Sequence, residues 1–297
     1  MGDESKPELR PLAPGLYLVA TPIGNLEDIT LRALRVLRSV DRIACEDTRQ
    51  TQKLLNHFGI EKPTVSVHEH NEAARAGELM AELRAGGRIA VVSDAGMPGI
   101  SDPGMLLVRA AIEAGVAVFP VPGPNAALSA LIASGLGSDE FLFVGFLPAK
   151  AGARRTRLEE LRGSFEKAVT LVVYEAPHRI VETLVDVEAV WGGLCRVVLA
   201  RELTKIHEQF LRGTVAEVRA QLADRERVRG EMVLLIETRP LAVSSGAEPV
   251  RERIAELMRA ENLSEMDALK RVAKERGVSK SELYRELQRT RGGKRIS

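Results

Sequence analysis

Short apolar runs alternate with segments of helical period along most of the chain. Residues 15–20 (GLYLVA), 42–45, 64–67, 88–93 (RIAVVS) and 116–121 read as strands. Their residues do not alternate apolar with polar, which is the pattern of strands buried on both faces. Between them, residues 30–40, 50–58, 72–84, 103–114 and 125–134 carry apolar side chains at helical spacing. Local signals mark the ends of these helices. Thr30 can cap the first, Gly59 can close the second, Gly86 and Gly87 stop the third, and Pro103 suits the first turn of the fourth. Repeated β-α-β units of this kind predict a parallel sheet covered by helices on both sides.

The pattern changes near residue 136. Strands are predicted at 141–147, 168–174, 196–200, 208–211 and 232–237, with helices at 179–190 and 215–222. Two of these strands follow one another without an intervening helix, which predicts a mixed α/β sheet. Residues 240–249 (PLAVSSGAEP) have linker composition. Beyond them, 266–287 reads as two short helices around Gly277, with Ala273, Gly277 and Leu283 at helix-turn-helix spacing and Ser279 as a cap. The expected organisation is an N-terminal α/β domain over 1–137, a second α/β domain over 138–239, and a small helical tail over 248–297.

Composition narrows the classes. The 297 residues are 45% hydrophobic and 28% charged, the make-up of a globular chain. Only 4% are aromatic, which argues against a stacking groove for single strands and for recognition through phosphate, ribose and shape. The net charge of +1 hides an asymmetry: residues 249–297 hold 13 basic and 8 acidic side chains, a net of +5, leaving −4 for the rest. Cys45 and Cys195 are far apart, and no histidine pair has metal-ligand spacing, so no metal site is expected. The start shows no apolar leader segment. The uncharged stretch 116–137 is broken by prolines and glycines, so it reads as a strand, a turn and a helix rather than a membrane span. A reducing cytoplasm is the expected setting.

Candidate chemistry gathers at predicted strand ends, where open α/β sheets bind ligands. Thr21–Asp28 (TPIGNLED) follows the first strand; Pro22 and Gly24 would let a ligand approach backbone, although a plain turn explains the segment equally well. Cys45–Arg49 (CEDTR) follows the second strand and would suit a cation, a base or a phosphate, or simply a solvated helix start. The sharpest is 93–104 (SDAGMPGISDPG). Its three glycines, two prolines and repeated Ser-Asp pair are costly in conformational freedom for a mere connector. Small residues there expose backbone groups, and Asp94 and Asp102 can hold hydroxyl or ammonium groups. A rigid turn, PVPGPN, spans 120–125. In the second half, YEAPHR (174–179), RELTKIHE (201–208) and GEMV (230–233) crowd charge at strand ends, and each buried charge there needs a partner.

Together these motifs resemble the tetrapyrrole methylase superfamily of S-adenosylmethionine-dependent methyltransferases and, within it, the ribosomal RNA small subunit methyltransferase I family. The carriers are LYLVATPIGNLEDIT, CEDTR, SDAGMPGISDPG, PGPNA, YEAPHR and RELTKIHE, in order across residues 15–239. The resemblance implies two α/β domains with S-adenosylmethionine in the cleft between them, a homodimer, and 2′-O-methylation of a cytidine in 16S rRNA of the small ribosomal subunit. Carried over, Pro22 and Gly24 line the cofactor or substrate side of the cleft. Asp94, Gly96, Met97, Ser101 and Asp102 form the main cofactor loop, and Tyr174, Ala176, Leu203 and Met232 close it from the second domain. The ribose hydroxyl is a weak nucleophile that needs orientation and a base, for which Glu46, Asp47, Lys205 and Glu208 are candidates. Arg49, Arg179, Arg201, Arg154, Arg155, Lys280 and Arg285 are candidates for RNA contact, because Arg is a permanent bidentate phosphate donor. Two other readings keep the fold: a methyltransferase for a tetrapyrrole or a protein side chain, and a non-catalytic ribosome-binding module.

Overall fold

The computed structural model describes residues 11–68, 71–102, 104–165, 167–223, 227–238, 250–260, 263–275 and 283. The chain divides into two compact units, residues 1–239 and 240–297.

The larger unit contains two five-stranded sheets. The first joins β1 (Gly15–Val19), β2 (Arg42–Cys45), β3 (Thr64–Ser66), β4 (Arg88–Val92) and β5 (Val118–Val121). All its pairings are parallel, in the order β3-β2-β4-β1-β5. Successive residues serve opposite cores. Tyr17, Val19, Ile43 and Cys45 pack with α1 (Leu31–Ser39) and α2 (Thr48–His57). Leu16, Ala44, Ile89 and Val91 pack with α3 (Glu72–Arg84) and α4 (Met105–Glu113). Two covered faces explain why these strands lack a polar side.

Most predicted caps form. The Thr30 hydroxyl accepts from the Ala33 N–H at 3.1 Å. Asn125 caps α5 (Ala126–Ser134) by accepting from Leu128 N–H at 2.9 Å. The start of α4 differs. It begins at Met105, with Gly104 at φ +119° before it, and Glu72 of α3 accepts from the Gly104 and Leu106 N–H groups. Pro103, expected in the first turn, lies outside the described residues.

The second sheet joins β6 (Phe141–Phe146), β7 (Val169–Glu175), β8 (Arg196–Arg201), β9 (Gln209–Thr214) and β10 (Met232–Thr238) in the order β6-β7-β10-β8-β9. Only β6 and β7 pair parallel; the other three pairings are antiparallel. One face packs on α6 (Ala151–Gly163), α7 (Ile180–Trp191) and α8 (Val215–Ala223) through Leu158, Ile180, Leu184 and Val218. The other face meets α5: Ala127, Ala130 and Leu131 pack against Val172, Val198 and Leu235. Helix α5 therefore covers the second sheet, which ties the two sheets into one unit. Helix α6 was absent from the sequence reading.

In the smaller unit, α9 (Val250–Ala260) and α10 (Glu265–Glu275) bury Ile254, Leu257, Leu269 and Val272 with Leu283. Helix α9 was not expected from sequence. The predicted turn at Gly277, with Lys280 and Arg285, lies outside the described residues. Among the described residues no helix is long and apolar enough to cross a membrane. Cys45 and Cys195 are buried in separate cores and form no disulfide with each other.

Candidate active site

Topology brings the motifs together. In the first sheet β2, β4 and β1 are neighbours, so their carboxyl ends place the loops after Val19, Cys45 and Val92 side by side. In the second sheet the antiparallel pairing does the same by another route. Met232, at the start of β10, lies opposite Glu175 at the end of β7 and Arg201 at the end of β8.

The loop 93–102 is pinned rather than free. Thr21 and Gly96 exchange two backbone hydrogen bonds, of 2.9 and 3.0 Å. The Thr21 hydroxyl donates to the Ser93 carbonyl at 3.0 Å, and the Ser93 hydroxyl to the Gly96 carbonyl at 3.2 Å. The Asp47 N–H donates to Asp94 at 3.2 Å, which fixes the second loop to the third. Three non-glycine residues in the described chain have positive φ: Ser101 at +64°, Glu202 at +51° and Thr204 at +65°. All three lie in these loops, and such backbone strain of about 1–2 kcal/mol each collects where a ligand-binding geometry demands it.

Between the sheets is a cleft of about 660 Å³. Nine of the eleven predicted cofactor residues line it: Asp94, Gly96, Met97, Ser101 and Asp102 from the first sheet, and Tyr174, Ala176, Leu203 and Met232 from the second. Pro22 and Gly24 line instead an adjoining lobe of about 460 Å³, which shares Asp94, Lys205 and Glu231 with the first. The main lobe is walled mostly by apolar groups and loop backbone. Phe143 and Phe146 stand edge-on to Tyr174, with ring centres 5.1 and 5.7 Å away. Burial raises the Tyr174 phenol, and the Asp102 carboxylate facing it adds to that.

The acidic groups differ sharply. Burial pushes Asp102 up to about 6, and the nearby Glu46 and Asp94 carboxylates add to the effect. Glu46 is also raised, by burial and then by Asp94 and Asp47. Asp47 goes the other way. It caps α2, accepts from the Arg49 N–H at 2.8 Å, pairs with the Arg49 guanidinium, and is held down at about 2.

Several predicted roles change with these environments. Asp47, so acidic and already capping a helix, is a poor base. Lys205 donates to Glu202 at 3.0 Å and Glu231 at 2.9 Å. Burial works against its charge, but the two carboxylates outweigh it and hold the ammonium above the ordinary lysine value. Lys205 is thus a fixed cation, not a base. Glu208 is exposed and accepts from the Thr204 N–H at 2.7 Å, which holds that strained loop. Of the four candidate bases, Glu46 alone keeps a suitable setting.

Among the arginines, Arg154 is 1% exposed and bonded to Asp186 at 2.8 Å, so it stabilises the second sheet's helices and cannot reach RNA. Arg155 shares Asp186 but remains half exposed. Arg179 is held by the fully buried Glu175, which also accepts from Thr183 at 2.7 Å. Its role is to pair that carboxylate beneath the cleft. Arg201 donates to the Arg229 carbonyl at 3.2 Å. Arg49 is 86% exposed and remains open to a phosphate despite its bond to Asp47.

Sequence reasoning missed Phe146, Glu175, Glu202 and Glu231 as parts of the cleft wall. Glu202 and Glu231 sat inside flagged motifs; Glu202 reaches Lys205 from three residues back, but only the antiparallel register brings Glu231 to it as well. Gly24 has a reason of its own: a Cβ there would lie 2.5 Å from the Lys205 Cγ. The glycine makes room for the lysine stem. Among the described residues no group of three His, Cys, Asp or Glu could hold a metal ion.

A pinned loop at the ends of parallel strands, closed by a second mixed sheet, defines the methylase class. The profile of the tetrapyrrole (corrin/porphyrin) methylases matches residues 15–219. Uroporphyrin-III C-methyltransferase from Thermus thermophilus, solved with S-adenyl homocysteine, superposes with a TM-score of 0.52 at 19% identity, over 74% of this chain and 96% of that one. Relatives in sequence are more specific. The ribosomal RNA small subunit methyltransferase I of Halalkalibacterium halodurans is 47% identical over 91% of this chain and 93% of its own. That of Vibrio cholerae is 54% identical over 75% and 77%. The chain belongs to the ribosomal RNA small subunit methyltransferase I family.

Proposed function

We propose that the protein transfers a methyl group from S-adenosylmethionine to the ribose 2′-hydroxyl of a cytidine in 16S rRNA of the small ribosomal subunit. The observation that carries this reading is the two-lobed cleft: an apolar lobe fit for a nucleoside cofactor opens, past Asp94 and Lys205, into a second, more polar lobe where Gln50, Lys53 and Ser93 could meet an acceptor nucleotide.

The residues present suit the cofactor. Gly96 and Met97 offer backbone groups, Leu203 and Met232 an apolar wall, and Asp94 and Asp102 negative charge facing a cationic donor. When bound, S-adenosylmethionine supplies an electrophilic methyl group. Asp102 faces the cofactor lobe on one side and the half-buried Glu46 on the other. With a pKa of about 6 it is ionised at neutral pH yet basic enough to take the hydroxyl proton as the new O–C bond forms. Glu46 keeps it basic by charge repulsion. Lys205, fixed by its two carboxylates, orients the acceptor. These contacts are worth most if made only in the transition state.

The +5 tail and the exposed Arg49 are proposed RNA contacts. Exposed apolar side chains on α4 and α5, Leu106, Ile112 and Ile132 among them, support a homodimer. The cytoplasm, where ribosomes are assembled, is the proposed location. Tritiated methyl transfer to purified small subunits, to naked 16S rRNA and to a porphyrin-type acceptor, followed by mapping of the label, tests the function. Label at one cytidine ribose is the expected result; label confined to the porphyrin or to protein would overturn the reading.

A further inference from the structure

The outer face of α2 continues the cleft. Arg49, Gln52, Lys53 and Asn56 stand on one stripe of this helix and, with Thr48 and Thr64, line an open polar groove. Their spacing of three and four residues keeps them on one side, while Thr51 and Leu55 face inward and are buried. Lys53 lines both this groove and the polar lobe, where Gln50 accompanies it. Groove, polar lobe and cofactor lobe therefore run in series, joined by Lys53 and then by Asp94 and Lys205.

Charge distinguishes Lys53 from its neighbours. Arg49 is partly neutralised by Asp47, and Lys205 wholly by Glu202 and Glu231. The Lys53 ammonium donates to the Gln50 side chain at 3.0 Å, and no carboxylate among the described residues pairs with it. It is an exposed cation at the mouth of that lobe. Around it are amides and hydroxyls, the groups that bond phosphate and ribose oxygens.

We propose that the α2 stripe carries a stretch of single-stranded RNA, and that Lys53 grips the phosphate where the strand turns from the open groove into the polar lobe. The inference rests on the RNA reading above and names its entry path. A paired stem does not fit it. A duplex holds its 2′-hydroxyls along a rigid shallow groove, whereas a single strand can turn one nucleotide into a lobe of about 460 Å³.

The test compares wild type with Lys53→Gln, Lys53→Arg and a control of equal charge change, Lys167→Gln, two residues ahead of β7 and away from the cleft end of that strand. Lys53 is exposed, so its loss should leave the melting temperature unchanged. For Lys53→Gln, KM for the small subunit should rise about tenfold, the worth of one charged contact. Its salt dependence should flatten by about 0.7 in log–log slope, as for one released phosphate contact. Maximal rate and cofactor affinity should stay within about twofold, since Lys53 does not line the cofactor lobe. Lys53→Arg should restore KM. An unchanged KM and slope in a Lys53→Gln enzyme that still methylates RNA would overturn the path while leaving the function intact. An equal effect from Lys167→Gln would overturn it too, by showing a general charge effect. Wild type that methylates no RNA would sink the RNA reading, and the path with it.

Discussion

Replacing Asp102 with Asn should make the protein more stable and less active. The carboxyl's ordinary value is 3.8, and burial beside Glu46 and Asp94 lifts it to about 6. A gap of roughly 2 units at about 1.4 kcal/mol each sets a ceiling near 3 kcal/mol for the cost of ionising it in the folded state. Asp102 keeps some contact with solvent, so screening reduces this to about 1–2 kcal/mol. The sign follows from the raised value. Below about pH 4 the group is protonated in both folded and unfolded chains and contributes nothing. As pH rises through 6 the folded chain pays the full cost, and stability falls relative to the Asn variant. Urea unfolding at pH 3 and 7.5 should therefore show nearly equal stabilities at the lower pH and an advantage of about 1–2 kcal/mol for Asp102→Asn at the higher. Single-turnover methylation should collapse in the variant, and in wild type should fall as pH drops through about 6. An Asn variant that is no more stable at pH 7.5 would refute the strained carboxylate. One that methylates at the wild-type rate would refute the proton acceptor.

Three other substitutions probe the surrounding structure. Lys205→Gln strips the cation from Glu202 and Glu231 and should lower kcat/KM for RNA by tenfold or more, about 1.4 kcal/mol; steady-state kinetics check this, and Lys205→Arg should leave the acidic limb of the pH profile in place, because Lys205 is not the base. Gly24→Ala sets a methyl group against the Lys205 stem and should cost about 1–3 kcal/mol in stability or in transition-state binding, read by denaturation and by KM together. Arg154→Ala leaves the buried Asp186 with the half-exposed Arg155 as its one remaining ion-pair partner among the described residues and should destabilise by about 3 kcal/mol, the low end for a broken buried pair, while the residual folded enzyme keeps its affinity for RNA. Thermal melts and filter binding separate these two effects.

How legible each part was in the sequence follows from where its determinants lie. Strand β2 and helix α3 were readable to the residue, because the signals that bound them are local: a short apolar run, and the Gly86–Gly87 stop. Helix α6 was missed because it buries only Leu158 and Leu161 as apolar anchors and spends a third buried position on Arg154. A buried arginine looks like a surface one until Asp186, on another helix, is known. Helix α9 was missed for a similar reason, with Ile254 and Leu257 as its few apolar anchors in a charged stretch. The 93–104 loop announced itself as a candidate site through glycine, proline and aspartate at a strand end. The fates of Arg179 and Lys205 did not. Their charge partners are set by a strand end four residues back and by antiparallel register, and spacing alone does not distinguish a phosphate ligand from half of an internal ion pair.

That environment makes one further demand on the site. Asp102 lines the lobe assigned to a donor that is cationic before transfer and neutral after it. A cation beside Asp102 lowers its pKa; removing the cation lets it return toward 6. With such a donor bound, the carboxylate would be held ionised and would become a better proton acceptor as the positive charge is lost, the moment at which the ribose hydroxyl must give up its proton. The same coupling must appear in binding. Near pH 6, S-adenosylmethionine should release protons on binding and gain affinity as pH rises, by at most about tenfold per unit for one linked proton. S-adenosylhomocysteine, without the positive charge, should show little of either. Calorimetry at pH 6 in buffers of different ionisation enthalpy measures the protons directly. Equal proton release for the two ligands would show that Asp102 does not sense the donor's charge, and the proposed timing of proton transfer would have to be abandoned. Loss of the difference in Asp102→Asn, with the binding itself retained, would place the effect on this one side chain.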